Sequence, residues 1–227
     1  VFHLGACSST TETDEAYLRD NNFQYTCDLC EWSLQTGARF VYASSAATYG
    51  DGSKGYSDSD SVTPTLEPLN LYGKSKQWFD LWAMGNGALK KIAGLKYFNV
   101  YGPRMDTDGK YTEVMIKWLD CIRDNKAPVI HGDGSTSMDF IFVKDVASAN
   151  VKALLSEVTD ENLNIGYSKE TSLKELLEMM IKVNKSKIKP VFTESNSVNP
   201  VSRRLSDNRK AKKLLNFTPE TKLEQGI

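Results

Sequence analysis

Short apolar runs alternate with helix-forming segments along the first half of this sequence. The apolar runs cover residues 1–6, 38–44 and 92–98, and the segments between them, 12–36 and 71–88, are rich in helix formers. Continuous apolar strands joined by helices are typical of a parallel sheet that is buried on both faces, with right-handed crossovers. The pattern therefore predicts an α/β fold with a doubly wound parallel sheet.

A polar cluster follows each of the three apolar runs directly. The clusters read CSSTTETD, SSAATYG and NVYGPR. In open α/β sheets, ligands bind in the crevice beyond the carboxyl ends of the strands. We therefore expect the three clusters to face one site.

After Arg104 the pattern changes to shorter elements. It predicts helices over residues 113–124, 146–155 and 173–183, and a pair of strands between residues 128 and 142. Beyond residue 198 the chain is rich in Arg and Lys, which is compatible with a solvated helix face. The second half is therefore expected to form a smaller lobe.

The charge balance excludes some functions. The chain has 227 residues, of which 28 are Lys or Arg and 29 are Asp or Glu, so its net charge is −1. Because there is no strong positive field, we expect no nucleic-acid partner and no binding to an anionic membrane. No apolar run approaches the roughly 20 residues that span a bilayer. We interpret the protein as soluble and cytoplasmic.

Cysteine and histidine are too scarce for several kinds of site. The four cysteines cannot make a disulfide framework, and Cys27 and Cys30 fall inside a predicted helix, where buried thiols are expected. His3 and His131 are the only histidines, which leaves almost nothing for a Ser/His/Asp triad or a His-rich metal site. We predict no metal, and proton transfer must fall to another residue type.

Tyr72 and Lys76 form a YxxxK pattern near the start of the second predicted helix. Their spacing places both side chains on one helical face, and a nearby ammonium group favours the phenolate form of tyrosine. Ser45 ends the preceding strand and could hydrogen-bond a substrate oxygen together with the tyrosine. Thr48 is a reserve candidate for that contact. The alternative is that Tyr72 only packs against the helix and Ser45 is a turn serine.

Longer motifs around these residues carry a family resemblance. The first half, with VFHLGACSSTTETD, FVYASSAATYG, LNLYGKSK and LKYFNVYGPR, resembles the ADP-L-glycero-D-manno-heptose 6-epimerase branch of the extended short-chain dehydrogenase/reductases. The second half, with GDGSTSMDFIFVKDVASANV and NPVSRRLSDNRKAKKLLNF, is similar to UDP-glucose 4-epimerase-related proteins. The resemblance covers nearly the whole chain, and it implies an NAD-dependent nucleotide-sugar epimerase or dehydratase.

The resemblance also implies a catalytic trio and a set of NAD contacts. The trio is Ser45, Tyr72 and Lys76. The five residues from Leu4 to Ser8 would line NAD through their backbone, and Asn21 would support the cofactor. Tyr97, Phe98 and Val100 would border the nicotinamide ring. The matching positions are Leu4, Gly5, Ala6, Cys7, Ser8, Asn21, Tyr72, Lys76, Tyr97, Phe98 and Val100.

The substrate contacts implied by the resemblance lie mainly in the second half. Asn99 would bind the diphosphate, and the strand Val129, Ile130 and His131 would run beside the nucleotide base, unless it is an ordinary edge strand. Many UDP-sugar enzymes place a diphosphate-binding arginine where this chain has Met138. Arg204, or its neighbour Arg203, is then the expected diphosphate partner, since bidentate guanidinium contacts suit phosphate.

A second departure concerns the reaction itself. The heptose epimerases carry a second base, a lysine, a few residues after GPR, where this chain has Asp108, with Lys110 two residues further on. The loss of that lysine favours epimerisation at C4 of a UDP-hexose, because one tyrosine can serve both half-reactions. The alternatives are the heptose 6-epimerase, a 4,6-dehydratase, or a protein without catalytic activity that is a fragment or senses nucleotides.

The family pattern places an NAD-binding strand, a GxxGxxG turn and a helix before the position of Val1, and none of these is in the sequence. We therefore expect residues 1–104 to be part of an NAD-binding Rossmann domain. Residues 105–227 should form the substrate lobe, with a strand and helix near 145–166 that return to the first domain. Two long helices, which relatives pair across a subunit interface, also predict a homodimer.

Overall fold

The computed structural model describes residues 1–105, 114–194 and 201–227. The strands in these ranges are β1 (Phe2–His3), β2 (Val41–Ser45), β3 (Ala93–Tyr97), β4 (Asn99–Tyr101), β5 (Val129–His131), β6 (Ser137–Phe142), β7 (Glu161–Ile165), β8 (Glu170–Ser172), β9 (Val191–Thr193) and β10 (Arg203–Arg204). The α-helices are α1 (Glu15–Leu18), α2 (Tyr25–Gln35), α3 (Leu71–Gly85), α4 (Val114–Arg123), α5 (Val143–Leu155), α6 (Leu173–Val183), α7 (Arg209–Leu215) and α8 (Leu223–Gly226). A π-helix (Arg19–Gln24) joins α1 to α2, and 3-10 turns cover Ala46–Tyr49, Thr63–Thr65 and Ala88–Lys91.

The main sheet has four parallel strands in the order β1-β2-β3-β7. On one face, Val41, Leu95 and Leu163 pack with Ala149 and Ala153 of α5. On the other face, the sheet packs against α2 and α3 through a second apolar cluster that includes Tyr42, Phe79 and Cys30. The predicted α/β fold with a parallel sheet covered on both sides is confirmed.

A smaller sheet continues from the end of β3. Its order is β10-β6-β4, with all three strands parallel, and β8 pairs with β6 in the antiparallel sense. Only Phe98 separates β3 from β4, so the chain passes directly from the main sheet into the second one. The polar ends of the main strands therefore face the second sheet.

Several boundaries differ from the sequence expectations. The first predicted strand is reduced to the two residues of β1, and the predicted helix over 12–36 contains the π-helical turn. The helix predicted to reach residue 88 ends at Gly85, because Gly87 adopts a left-handed conformation with φ of 76° and a 3-10 turn follows. The two strands predicted between 128 and 142 exist but do not pair with each other, since β5 pairs with β9.

In the described ranges no helix is both long enough and apolar enough to cross a membrane. The CxxC cysteines Cys27 and Cys30 lie buried in α2 as free thiols, as predicted. Burial raises the pKa of the Cys27 thiol to about 12, which disfavours its reactive thiolate form.

Candidate active site

A cavity of about 630 Å³ lies where β2 and β3 end and the second sheet begins. Its polar lining includes Ser45 and Tyr72 from the first domain and Asn99 and Arg204 from the second sheet. The sequence-predicted residues that line it are Leu4, Ala6, Ser8, Ser45, Tyr72, Lys76, Tyr97, Phe98, Asn99, Val100 and Arg204. The strand ends thus converge on one crevice, as their polar clusters predicted.

The first two turns of α3 present Tyr72 and Lys76 to this cavity. Asn70 caps the helix, since its side-chain oxygen accepts a hydrogen bond of 2.8 Å from the Gly73 amide. Gly73 also lets the helix approach the 3-10 turn after β2, because a Cβ there would lie 2.7 Å from the Ala47 carbonyl oxygen. The helix start is therefore held against the strand end that carries Ser45.

Burial raises the pKa of Tyr72, and a hydrogen bond with Ser45 and the charge of Arg204 act in the opposite direction. The Cys7 thiol, which is close by, also raises it. The YxxxK pattern predicts instead that Lys76 lowers this pKa. In the structure, the neighbours that favour the Tyr72 phenolate are Ser45 and Arg204.

Lys76 is buried, and its ammonium donates a hydrogen bond of 2.9 Å to the Ala43 carbonyl of β2. Burial lowers its pKa to about 8, and the nearby carboxylate of Asp80 opposes that change. The hydrogen bond holds α3 against the sheet. Because its pKa is lowered, the Lys76 ammonium loses its proton more readily than that of an exposed lysine. Lysines in a cleft whose pKa is strongly shifted are frequent at functional sites.

The segment after β1 lies between two cavities. Leu4, Ala6 and Ser8 line the central one, and Leu4 and Ala6 also line a second cavity of about 580 Å³ together with Gly5, Cys7 and Asn21. The two cavities therefore adjoin along Leu4 and Ala6.

Tyr97, Phe98 and Val100 line the central cavity from the strand junction. The Tyr97 hydroxyl donates a hydrogen bond of 2.8 Å to the Asn150 side chain of α5. This contact fixes the aromatic ring at the floor of the cavity.

Sequence reasoning missed Asn22, the neighbour of Asn21. Asn22 is buried, accepts a hydrogen bond of 2.8 Å from the Cys7 amide, and donates bonds of 2.9 Å to the Cys7 carbonyl and to the Ser75 hydroxyl. Asn21 is exposed and donates to the Tyr17 carbonyl. The anchor of the post-β1 segment is therefore Asn22. Its spacing of four from the buried Leu18 could have indicated this.

The two candidate arginines of β10 point in different directions. Arg204 lines the central cavity opposite Met138, its partner in the strand register. Arg203 is exposed, and its guanidinium pairs with the Glu170 carboxylate at 2.8 Å. Of the two, only Arg204 lines the cavity.

The structure does not bring Thr48 to the cavity. Thr48 is fully buried, donates to the Ser45 carbonyl at 2.8 Å, and accepts a bond of 3.3 Å from the Lys96 ammonium. The 3-10 turn after Ser45 directs the Thr48 side chain toward that lysine, away from the residues that line the cavity.

The strand β5 also stays apart from the described lining of the central cavity. Ile130 is buried in the apolar cluster between α4 and α6, Val129 is exposed, and the His131 ring hydrogen-bonds the Thr193 hydroxyl at 2.9 Å. The pairing of β5 with β9 accounts for this position. Asp108 and Lys110, the candidates for a second base, lie outside the described residues.

A family model for the NAD-dependent epimerase/dehydratase family matches residues 1–166. ADP-L-glycero-D-manno-heptose-6-epimerase from Nitratidesulfovibrio vulgaris is 44% identical over 184 residues, which are 78% of this chain and 57% of that protein. The enzyme of the same name from Fusobacterium nucleatum is 39% identical over 186 residues, 78% of this chain and 56% of that protein. The chain thus spans little more than half the length of these relatives.

Solved structures share the fold along the whole chain. UDP-N-acetylglucosamine 4-epimerase from Methanobrevibacter ruminantium superposes with a TM-score of 0.89 at 26% identity, over 100% of this chain and 73% of that one. UDP-glucose 4-epimerase from Thermotoga maritima gives 0.87 at 27%, over 100% and 74%. The heptose 6-epimerase from Helicobacter pylori gives 0.86 at 27%, over 99% and 68%.

Proposed function

Since the chain belongs to the NAD-dependent epimerase/dehydratase family, we propose that its protein epimerises C4 of a UDP-hexose through a transient 4-keto sugar. The observation that carries the proposal is the meeting of Tyr72, Ser45 and Arg204 in one cavity. One side of that cavity offers a proton acceptor, and the other offers a cation for a diphosphate. The likeness to UDP-sugar 4-epimerases along the whole chain supports it.

In the proposed reaction, Tyr72 removes the proton of the sugar hydroxyl and later returns it. Bound NAD supplies a reversible acceptor for the hydride. Ser45 holds the substrate oxygen beside the Tyr72 hydroxyl, so that proton transfer occurs over a hydrogen-bond distance. Arg204 stabilises the phenolate form of Tyr72 through its charge, and Lys76 fixes the helix that carries the tyrosine.

Two groups are proposed to hold the nucleotide diphosphate. The guanidinium of Arg204 suits bidentate contact with phosphate oxygens, and the amide of Asn99 lines the same cavity. The Arg204 Nε atom is buried and has no hydrogen-bond partner among the residues that the structure describes. A buried donor without a partner carries a desolvation cost, and a ligand that supplies an acceptor removes that cost on binding.

The identity to heptose 6-epimerases favours a second candidate function. Two relatives of that name are 44% and 39% identical to most of this chain, above the 26% and 27% of the UDP-sugar enzymes. In that reading a second base would act on the opposite face of the sugar. Lys110 is the nearest lysine to the expected position in the sequence.

Substrate assays with the full-length protein and NAD separate the two candidates. Turnover of UDP-galactose, with Lys110→Ala and Asp108→Ala each leaving it nearly intact, is the expected result. Activity confined to an ADP-heptose would instead identify the heptose enzyme. In that case Lys110→Ala should cost about as much turnover as Tyr72→Phe, because each base would serve one half-reaction.

A further inference from the structure

Asp139 lies at the centre of β6 and is fully buried, although the proposed reaction gives it no role. Its carboxylate accepts hydrogen bonds from the amides of Tyr167 at 2.8 Å, Ser168 at 2.9 Å and Ser206 at 3.0 Å, and from the Ser206 hydroxyl. A buried carboxylate with this many donors is strongly oriented, because bonds to an ionised acceptor are stronger than those between neutral groups.

These contacts hold two chain segments against β6, and one of the segments continues from Arg204, which lines the central cavity. Ser206 lies two residues beyond Arg204, whose strand pairs with β6. Tyr167 and Ser168 follow β7 of the main sheet. The three segments approach so closely that a Cβ at Gly166 would lie 2.7 Å from the Asp139 carboxylate. Asp139 therefore joins the end of the main sheet to the strand that carries Arg204.

The same residue also contacts the other proposed phosphate ligand. The Asn99 side chain donates a hydrogen bond of 2.9 Å to the Asp139 carbonyl. Residue 139 is thus a common support for Asn99, through its backbone, and for the chain at Arg204, through its carboxylate. β10 itself has only two residues, which pair with Ser137 and Met138, so its own ladder restrains Arg204 weakly.

We propose that Asp139 is a positioning residue for substrate binding, because its buried carboxylate fixes the chain beyond Arg204 so that the guanidinium faces the central cavity. The inference rests on the proposed role of Arg204 in holding the diphosphate. It predicts that loss of the carboxylate weakens binding of the nucleotide more than it slows the chemical step.

The test uses Asp139→Asn and, as a milder change, Ser206→Ala in the full-length protein with NAD. The asparagine keeps the size of the side chain but turns an NH₂ group toward amides that also donate. We expect UDP binding, measured by calorimetry, to weaken by about tenfold or more in Asp139→Asn, with a rise in KM that exceeds the fall in kcat. Ser206→Ala should show a smaller loss of the same kind.

Asp145→Asn is the matched control. Asp145 is also buried, and its carboxylate accepts a hydrogen bond of 3.0 Å from the amide of Thr221, 76 residues away in sequence, rather than from the chain that follows Arg204. This variant should lose stability without a change in KM. An equal rise in KM in both aspartate variants would overturn the proposal, because general loosening of the fold would then account for it.

A readout without substrate makes the inference independent of the proposed reaction. Labelling of Arg204 by phenylglyoxal, measured by mass spectrometry against the exposed Arg209, should be faster in Asp139→Asn than in the wild type. Unchanged labelling, or unchanged UDP affinity in a folded variant, overturns the positioning role. If the wild type binds neither UDP nor ADP, the proposed function fails and the labelling alone decides. If Asp139→Asn does not fold, Ser206→Ala carries the same measurements.

Discussion

The surroundings of Tyr72 oppose its charged form. Burial raises its pKa, and Ser45 and Arg204 offset only part of that effect. A base works best when its pKa lies near the working pH, so the role proposed for Tyr72 requires that its pKa be lower when substrate and cofactor are bound. The residue therefore needs an assembled site for its chemistry.

Replacement of Tyr72 by phenylalanine tests this role directly. Tyr72→Phe removes the proton acceptor but keeps the ring, so turnover should fall by about 10² to 10⁴ while UDP binding is retained. Tyr49→Phe is a matched control, since the Tyr49 hydroxyl donates to Asn164 at 2.7 Å and is not part of the described cavity lining. Steady-state kinetics of both variants decide the matter, and a Tyr72→Phe enzyme of ordinary turnover would exclude Tyr72 as the base.

His3 makes stability depend on acid pH. Burial, together with the charge of Lys76, lowers its pKa from 6.5 to about 4. The unfolded chain therefore takes up this proton first as the pH falls from 6.5 to 4, and the folded state loses at most about 1.4 kcal/mol per pH unit from this group. Urea unfolding of wild type and His3→Gln between pH 7 and pH 4.5 should show a steeper loss in the wild type. Parallel curves would contradict the prediction.

Single residues differ in how far the sequence could reveal them. Tyr72, Lys76 and Ser45 come together because helix spacing and a strand end are local features that a pattern can indicate. The orientation of Thr48 toward Lys96 depends on a 3-10 turn and on a lysine 48 residues away. No local pattern contains that information, and the anchoring of Cys7 by Asn22 has the same long-range origin.

The helix α3, which carries Tyr72 and Lys76, is held against the sheet by a fully buried ion pair. The Asp80 carboxylate lies 3.1 Å from the Lys96 ammonium of β3, and it also accepts hydrogen bonds from Tyr42 at 2.8 Å and Ser44 at 2.9 Å on β2. Asp80 therefore links α3 to two strands, β2 and β3, one helical turn beyond Lys76.

Loss of one partner of the Asp80–Lys96 ion pair should destabilise the fold. Asp80→Asn leaves the Lys96 charge buried without its counterion, so the free energy of unfolding should fall by about 3 to 5 kcal/mol. Glu15→Gln breaks the exposed pair with Arg19 and should cost less than about 1 kcal/mol. Denaturant unfolding measures both. The double variant Asp80→Asn/Lys96→Met should recover part of the loss, and no recovery would mean that the ion pair is not the cause.

Secondary structure was predicted better than its pairing. The helix over 173–183 begins and ends at the predicted residues, and its start is fixed because Ser172 caps it in a capping box with Glu175. The partners of β5 and β6 were not predictable in the same way, since β9 lies some 60 residues beyond β5 in sequence and registers of this kind depend on tertiary packing.

The whole molecule places its cavity between two sheets that share one continuous stretch of chain. Phe98 joins β3 of the main sheet to β4 of the second sheet. The chain then comes back to the main sheet with β7, and β8 and β10 belong to the second sheet again. This repeated crossing brings Arg204 into the same cavity as Tyr72, the proposed base, which lies far away in sequence. The polar clusters after the strands predicted where the site lies, but only the family resemblance indicated that Arg204 belongs to it.

The assembly of the protein gives the last prediction, a homodimer through the outer seam between the helical segment 15–35 and α3. Trp78 is partly buried in this seam, where the Arg19 guanidinium lies 4.1 Å from its ring centroid and Phe23 meets its ring at 6.3 Å. Such aromatic and arginine groups are enriched at protein interfaces. A stable dimer would bury about 1,200 to 2,000 Å² there.

Light scattering of the full-length protein tests this interface. The wild type should have the mass of a dimer, and Trp78→Glu should convert it to a monomer, because a carboxylate would then lie at the centre of the apolar contact. Trp32→Glu is the control, since Trp32 is an exposed tryptophan of α2 with no aromatic or cation–π contact to Arg19, Phe23 or Trp78 among the described residues, and this variant should stay dimeric. A monomeric wild type would reject the dimer. A dimer that resists Trp78→Glu but dissociates with Trp32→Glu would instead place the interface on the exposed face of α2 that carries Trp32, because a few aromatic anchors dominate the stability of an interface.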